Sequence, residues 1–404
     1  MSRFHLTQFA SRYLLVGSSH LFSLLVPIIL LPLLISRIGS EAVGSIILIQ
    51  TIATYILVFT EYDFNVWGAR SIANNKSSDN ELSNVISAKI FLLIVSAPIL
   101  LIGSRVYFNG DEGWLFGIGG IIILLGYALS LNWFYQAKEK FGTVSFLNFI
   151  SKIFYIAAVY FFIRSDDDVW LVNIFFGLGL IIANIYFLIG KVKLRFEIPD
   201  LSRGFDYFIS NGLLQVFTNT SVLWISILLS VESITLFSSA ERLVFVARGG
   251  LAVYATIIFP SLCREKTWEI SRSTLFVHFF VCLFFLLFSF VIFFGADKIS
   301  SWMLREVNSE AIHILRILSP VPMLIALNVL SNQWLIAQGF YKTVRNIYAS
   351  VAVLSITLLP LGTYLLGLKG AAMVTVLLEA SISIGLIWAQ IKQLKSQRLK
   401  AVSS

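Results

Sequence analysis

Long apolar runs alternate with short polar segments over the whole length of the chain. Two examples are "LLVGSSHLFSLLVPIILLPLLIS" at 14–36 and "LFGIGGIIILLGYALSLNWFY" at 115–135. A bilayer core of about 30 Å needs about 20 residues of helix, which is the length of these runs. The runs are continuous, whereas the strands of a membrane barrel alternate apolar and polar residues. The pattern therefore predicts an all-α polytopic membrane protein.

The number and spacing of the apolar runs predict about twelve transmembrane helices in two six-helix lobes. A polar, basic segment at 191–207 lies in the middle of the chain and is the natural linker. We therefore expect an N-terminal lobe at 1–197 and a C-terminal lobe at 198–404. The predicted spans are 13–36, 43–64, 88–106, 115–136, 146–164, 170–190, 208–230, 236–260, 273–295, 311–337, 347–367 and 370–390.

Composition and charge agree with this class and set the orientation. Hydrophobic residues make up 57% of the 404 residues and charged residues 13%, whereas a soluble domain carries about 25% charged residues. With the N-terminus inside, 21 Lys and Arg residues fall in predicted cytosolic segments and 7 in outer segments. Cytosolic loops are the basic ones in membrane proteins, so we expect both termini in the cytosol. The net charge of +8 then reflects topology and does not indicate nucleic-acid binding.

Two short matches suggest that the lobes are repeats of one another. Gln136-Ala137 matches Gln338-Gly339 at an offset of 202, and Ser40-Glu41-Ala42 matches Ala240-Glu241-Arg242 at an offset of 200. We interpret the second match as a pair of turns, one after span one and one after span seven. Offsets near half the chain length favour parallel six-helix repeats, which are an architecture of transporters.

The sequence lacks the motifs of the common catalytic and cofactor sites. It has no G-x-x-x-x-G-K-[ST] phosphate loop, no H-E-x-x-H, no C-x-x-C and no G-x-S-x-G. Its four His and two Cys residues are scattered. We expect no metal, no cofactor and no enzymatic activity.

Ionisable residues inside predicted spans are the candidate substrate-binding residues. Arg248 and Glu379 lie in mid-span, and Glu241 and Arg242 lie nearer the outer end of span eight. Such residues cost about 2.5–3.5 kcal/mol or more at the bilayer centre, so they usually face a water-filled cavity. The alternative is that Arg248 and Glu379 are structural and pair with each other or with the backbone. Glu379 is also a candidate proton carrier.

Charges at the end of span two and prolines in span one are candidates for moving parts. Glu61, Asp63 and Arg70 would cluster at the cytosolic mouth as a gate, and positions 63 and 70 share a face if the helix continues. The alternative is a solvated helix end. Pro27 and Pro32 are predicted to interrupt the first helix and to act as hinges, because proline removes a backbone donor. Other prolines predicted to interrupt helices are Pro98, Pro320, Pro322 and Pro360.

Four segments together resemble the Wzx-type flippases of the polysaccharide-transport branch of the multidrug/oligosaccharidyl-lipid/polysaccharide (MOP) exporter superfamily. They are "LLPLLISRIGSEAVGSIILIQTI", "EYDFNVWGARSIA", "NWFYQAKEKFGTVS" and "FSSAERLVFVARGGLAVYATIIFPSL", in that order along the chain. Ala137 departs from the glycine that the family usually has there. The resemblance implies the MOP exporter fold, with two lobes around a central cavity.

The resemblance also implies a function and a set of partners. The substrate would be an undecaprenyl-pyrophosphate-linked O-antigen repeat unit, flipped from the cytoplasmic to the periplasmic leaflet of the bacterial inner membrane. Family members often line their cavity with cationic residues, which Arg248 and Arg242 would supply. Membrane lipid, an O-antigen polymerase and a chain-length regulator are the further expected partners.

Two other functions are less consistent with the sequence. Drug/cation antiporters of the same superfamily commonly carry an acidic ion site in the first helix, but no Asp or Glu lies between Tyr13 and Arg37. An O-antigen polymerase would need a large periplasmic loop, and no predicted outer loop exceeds about fifteen residues.

Overall fold

The computed structural model describes residues 3–62, 64–73, 78–108, 110–189, 192–194, 201, 205–264 and 270–403. All of the regular elements in these ranges are helices, because lipid offers no partner to backbone polar groups and a helix satisfies them internally. The helices are α1 (Arg3–Glu61), α2 (Phe64–Ala73), α3 (Ser78–Phe108), α4 (Asp111–Ala128), α5 (Asn132–Ala137), α6 (Phe141–Phe162), a 3-10 helix (Asp166–Asp168), α7 (Val169–Leu188), α8 (Phe205–Leu228), α9 (Val231–Arg264), α10 (Arg272–Leu304), α11 (Ser309–Leu318), α12 (Val321–Ala337) and α13 (Tyr341–Ser403).

Nine helical segments within these ranges are long and apolar enough to cross a membrane. Two of them, α1 with 59 residues and α13 with 63 residues, exceed a single crossing, since about 20 residues suffice. Each is broken by a glycine with non-helical backbone angles, Gly39 (φ 78°, ψ 167°) in α1 and Gly367 (φ 60°, ψ −143°) in α13. The all-helical membrane fold is confirmed, and the count of twelve stays a prediction.

The prolines of the first helix do not interrupt it, so that prediction is wrong. α1 contains Pro27 and Pro32 but leaves helical geometry only at Gly39. A membrane helix tolerates proline because neighbouring groups satisfy the freed carbonyl, whereas a positive φ is readily reached only by glycine. The same prediction is wrong for Pro98 and Pro360, which lie within α3 and α13. It holds at Pro320, which separates α11 from α12.

The chain divides into two compact units, Met1–Gln215 (unit 1) and Val216–Ser404 (unit 2). The division lies inside α8, and most of the predicted linker at 191–207 lies outside the described residues. The lobe boundary at 197/198 stays a prediction.

Close helix packing in unit 1 depends on small residues and on one arginine cap. A side chain at Gly177 of α7 would lie 2.5 Å from the backbone carbonyl of Ile122 in α4, so only glycine permits this approach. Arg37 Nη1 donates to the backbone oxygens of Tyr160 (2.6 Å) and Ile163 (2.7 Å) at the end of α6. These carbonyls have no partner within their own helix, so Arg37 fixes α1 to the end of α6.

A turn with the same hydrogen bonds follows α5 in unit 1 and α12 in unit 2. The N–H groups of residues 138, 139 and 140 donate to the oxygens of 134, 136 and 135, and those of 338, 339 and 340 donate to 334, 336 and 335. Glu139 and Gly339 both have positive φ, 55° and 82°. The two turns repeat at an offset of 200, so the predicted offset of 202 between Gln136 and Gln338 is wrong by two residues.

The other predicted match joins residues in different settings. Ala240-Glu241-Arg242 lies inside α9, which begins at Val231, and is not part of a turn. The connection after α8 is at 229–230. Glu241 is therefore a residue of a membrane helix.

Candidate functional site

An ion pair joins α9 to α13 inside unit 2. Arg248 Nη2 donates to Glu379 Oε1, and the two residues are 131 positions apart in the chain. The glutamate side chain is 4% exposed and the arginine side chain 22% exposed. Both members were predicted as mid-span ionisable residues, and the structure brings them together. The arginine balances the charge of the buried acid and keeps the larger exposed fraction of the two side chains.

Polar contacts between α12 and α13 surround the acid. Ser383, one turn after Glu379, places its Oγ within 2.9 Å of the backbone oxygens of Glu379 and Leu324. Asn328 Nδ2 donates to this Oγ at 3.0 Å. Farther along, Ser331 Oγ donates to Gln390 Oε1 at 2.7 Å. These bonds join the two helices and hold the helix segment that carries Glu379.

Glu241 lies on the same face of α9 as Arg248. The two are seven residues apart, which is two turns or about 10.5 Å along a helix. Glu241 is buried and its Oε1 accepts a hydrogen bond from Ser221 Oγ of α8 at 3.5 Å. Arg242 is half-buried and is turned about 100° from Glu241 around the axis. α9 thus carries one acid and one base on a single face.

Unit 1 contains a second internal ion pair, which the sequence did not predict. Lys89 Nζ of α3 lies 3.4 Å from Glu61 Oε1 at the end of α1. The lysine side chain is 0% exposed and the glutamate side chain 26% exposed. Lys89 is one of the 21 basic residues counted above as cytosolic, because it lies near the start of an apolar run. Its signal in the sequence is a lysine inside "NVISAKIFLLIV", with no other charge.

The predicted gate is brought together only in part. The helix does not continue past Glu61, because Tyr62 has φ 46° and α2 begins at Phe64. The condition of the prediction, a helix that continues past Glu61 to Arg70, is therefore not met. Arg70 is exposed in the last turn of α2, and Asp63 lies outside the described residues. The partner of Glu61 is Lys89 instead.

The end of α1 is fixed by an aromatic cluster. The Tyr62 ring stacks on Phe208, with centroids 4.8 Å apart, and its hydroxyl donates to the backbone oxygen of Leu201 at 2.7 Å. Phe59 contacts the same Phe208 ring edge-on at 6.5 Å. Glu61 lies between these two anchored residues, so its backbone is held in place.

Groups suited to a metal ion are absent from the described ranges, where no three His, Cys, Asp or Glu side chains converge. A smaller cluster is formed by His278, whose Nδ1 lies 3.2 Å from the Tyr254 hydroxyl and whose Nε2 lies 3.5 Å from Cys282 Sγ. This cluster joins α9 to α10 and offers only one nitrogen-sulfur pair. The two ion pairs are therefore the candidate functional sites.

Comparison with known proteins gives the fold and a relative. The structure matches that of the lipid II flippase MurJ in an inward closed conformation with a TM-score of 0.71 and 16% identity, covering 98% of this chain and 91% of that one. It matches an inward-facing multidrug resistance MATE family transporter of the MOP superfamily with a TM-score of 0.67 and 13% identity, covering 96% and 95%. The MOP exporter fold is confirmed.

Sequence comparison gives a relative and a family. The chain is 24% identical over 362 residues to a protein of Escherichia coli (strain K12) named "Putative O-antigen transporter", covering 84% of this chain and 86% of that protein. A family model described as "Polysaccharide biosynthesis protein" matches residues 12–266, which is more than half of the chain. The match includes both Glu61 and Arg248. The chain is a multi-pass membrane protein and belongs to the polysaccharide biosynthesis protein family.

Proposed function

We propose that this protein flips an undecaprenyl-pyrophosphate-linked O-antigen repeat unit from the cytoplasmic to the periplasmic leaflet of the bacterial inner membrane. The family match, the O-antigen transporter relative and the flippase-like fold support a lipid-linked polysaccharide as the substrate. The mode of transport that we propose is alternating access, without ATP hydrolysis. The charged pyrophosphate is the part of the substrate whose passage through the membrane costs the most free energy without a protein, because a bare charge in hydrocarbon is costly.

The observation that carries the proposal is the ion-paired and partly exposed side chain of Arg248 inside unit 2. Its counter-ion Glu379 is buried, and the arginine side chain is 22% exposed. Arginine binds phosphate through two parallel N–H groups, which is stronger and more specific than a point charge. We assign Arg248 as the pyrophosphate contact and Glu379 as the acid that holds it before substrate enters. Arg242 and Glu241 are assigned as further residues of the same path.

The moving parts are proposals of the same kind. Glu61, Asp63 and Arg70 would gate the cytosolic entrance, and Pro27 and Pro32 would let α1 bend. An anion moving outward travels down an inside-negative potential, by about 2.3 kcal/mol per charge per 100 mV. The membrane potential would therefore favour export.

The decisive test replaces Arg248 in cells whose O-antigen export depends on this chain. Arg248→Lys should keep part of the export because the charge remains, while Arg248→Ala and Arg248→Glu should reduce it about 10-fold or more. Export is measured as O-antigen on surface lipopolysaccharide at matched protein abundance. Arg345→Ala, which removes an exposed arginine of α13, is the matched control and should export normally.

Loss of Arg248 alone leaves Glu379 as a buried carboxylate, so a neutral pair separates folding from transport. Arg248→Gln with Glu379→Gln should be as abundant as the wild type and still fail to export. Full export by this double variant, or by Arg248→Glu, would contradict the assignment of Arg248 to the pyrophosphate.

The proposed orientation has both termini in the cytoplasm. Lys193 would then lie inside, and Asp111 and Asp297 outside; all three are exposed. Single cysteines at these positions, in a background lacking Cys263 and Cys282, should react with an impermeant maleimide in intact spheroplasts at 111 and 297 only. Labelling at 193 under these conditions would show that the orientation is the opposite of the proposed one.

A further inference from the structure

The ion pair of unit 1 exposes the opposite member from the ion pair of unit 2. In unit 1 the base is enclosed and the acid is reachable, with Lys89 0% and Glu61 26% exposed. In unit 2 the acid is enclosed and the base is reachable, with Glu379 4% and Arg248 22% exposed. A ligand that reaches unit 1 therefore meets a carboxylate.

The carboxylate of Glu61 has free capacity to accept hydrogen bonds. A carboxylate offers about four lone-pair sites on its two oxygens. Lys89 occupies Oε1, and no hydrogen-bond donor in the described part of the chain contacts Oε2. Phe59 and Tyr62, on either side of Glu61, are both packed against Phe208, so the carboxylate is presented by a fixed stretch of backbone.

The adjacent ammonium decides which ligands suit this carboxylate. Lys89 repels a metal ion or an organic cation at the same oxygen pair, because like charges repel at this short distance. The pair is neutral as a whole, yet it keeps a strong acceptor at Oε2. Neutral hydrogen-bond donors meet these conditions, and hydroxyl groups are the donors that a saccharide presents in large number.

We propose that Glu61 is a saccharide-binding residue that accepts hydrogen bonds from sugar hydroxyls, and that Lys89 is its positioning residue. The proposal rests on the proposed function, because it assigns a second part of the same substrate to a second site. Unit 2 recognises the pyrophosphate through Arg248, and unit 1 recognises the sugars through Glu61 during the transport cycle. Loss of Glu61 should therefore weaken the binding only of substrates that carry sugar.

The test compares two lipids on the purified full chain in nanodiscs. One is undecaprenyl pyrophosphate, and the other is undecaprenyl pyrophosphate that carries a neutral disaccharide. Glu61→Gln should lower the affinity for the disaccharide lipid about 10-fold, since a hydrogen bond to a charged group is being weakened, and should leave the affinity for the sugar-free lipid within about twofold. Glu41→Gln, an exposed acid of the same helix, is the control and should change neither.

Two further variants keep the test informative if Glu61→Gln folds poorly. Glu61→Gln with Lys89→Met removes the acid without leaving a buried charge, and should show the same selective loss. Lys89→Arg keeps a cation beside Glu61 and should retain the preference of the wild type. A double variant that binds both lipids like the wild type, or loses both equally, would overturn the assignment of Glu61.

The failure of the proposed function gives a different result. Suppose that Arg248→Ala binds both lipids like the wild type, while Glu61→Gln loses affinity only for the disaccharide lipid. The pyrophosphate assignment then fails and the saccharide assignment stands. If the wild type binds neither lipid, both assignments fail.

Discussion

The two internal ion pairs combine the same kinds of side chain, yet each encloses a different member. Lys89 in unit 1 and Glu379 in unit 2 are enclosed, and Glu61 and Arg248 are the reachable partners. An enclosed charge has given up its water and depends on its partner. The reachable member keeps part of its surface for other contacts. The comparison therefore separates the charge that the fold needs from the charge that a ligand can use.

A third ion pair shows the other extreme. Arg316 and Asp297 join α11 to α10 at 3.0 Å with side chains 39% and 59% exposed. Solvent screens such a pair, and its contribution to stability is about 0–1 kcal/mol. Arg316 Nη2 donates to both carboxylate oxygens of Asp297, at 3.2 and 3.0 Å. Both members of this pair are exposed, whereas each internal pair has one enclosed member and one partly exposed member.

The largest effect is expected in unit 1, where removal of the acid leaves a fully enclosed ammonium. Glu61→Leu should lower the free energy of unfolding by about 3–5 kcal/mol, and Lys89→Met by less than half of that, because Glu61 is partly hydrated. Lys89→Met added to Glu61→Leu should recover most of the loss. Reversible unfolding in mixed detergent micelles measures all three variants. Equal losses of unfolding free energy from the two single variants would contradict the distinction between the enclosed and the partly exposed member.

A smaller effect with the reverse order is expected in unit 2. Arg248→Leu leaves the carboxylate of Glu379 enclosed and should cost about 2–4 kcal/mol of unfolding free energy, whereas Glu379→Leu should cost about half of that. The exposures here differ less than in unit 1, so the asymmetry should be smaller. The same micelle unfolding assay applies, with Arg345→Ala as the control. A larger loss from Glu379→Leu than from Arg248→Leu would contradict the comparison.

Much of the fold could be predicted from the sequence because hydropathy acts locally. The positions of the apolar runs predict helices such as α7 and α10 to within a few residues at their starts. The spans predicted at 13–36 and 43–64 place the break of α1 between them, and the structure has it there, at Gly39. The prolines predicted to interrupt the first helix do not interrupt it, since backbone freedom at one residue matters more than a missing donor in a well-packed helix.

The candidate sites were predictable only one residue at a time. Arg248 and Glu379 were recognisable as charges in apolar runs, but their pairing joins positions 131 residues apart and stayed one of two alternatives. The pairing of Lys89 was missed because its burial and its contact with Glu61 of α1 are tertiary. Local sequence pattern carries no information about such contacts. It therefore identifies individual charged residues in apolar runs, whereas their ion-pair partners are known only from the structure.

The turn that the two units share has a consequence for their electrostatics. The hydrogen bonds of the turns after α5 and α12 repeat at an offset of 200. At this offset Arg248 corresponds to Leu48 and Glu61 corresponds to Ser261. Neither partly exposed charge has a twin in the other half. The backbone of the turn repeats while these charges do not, and this polarity suits the proposed cargo, whose own two ends differ.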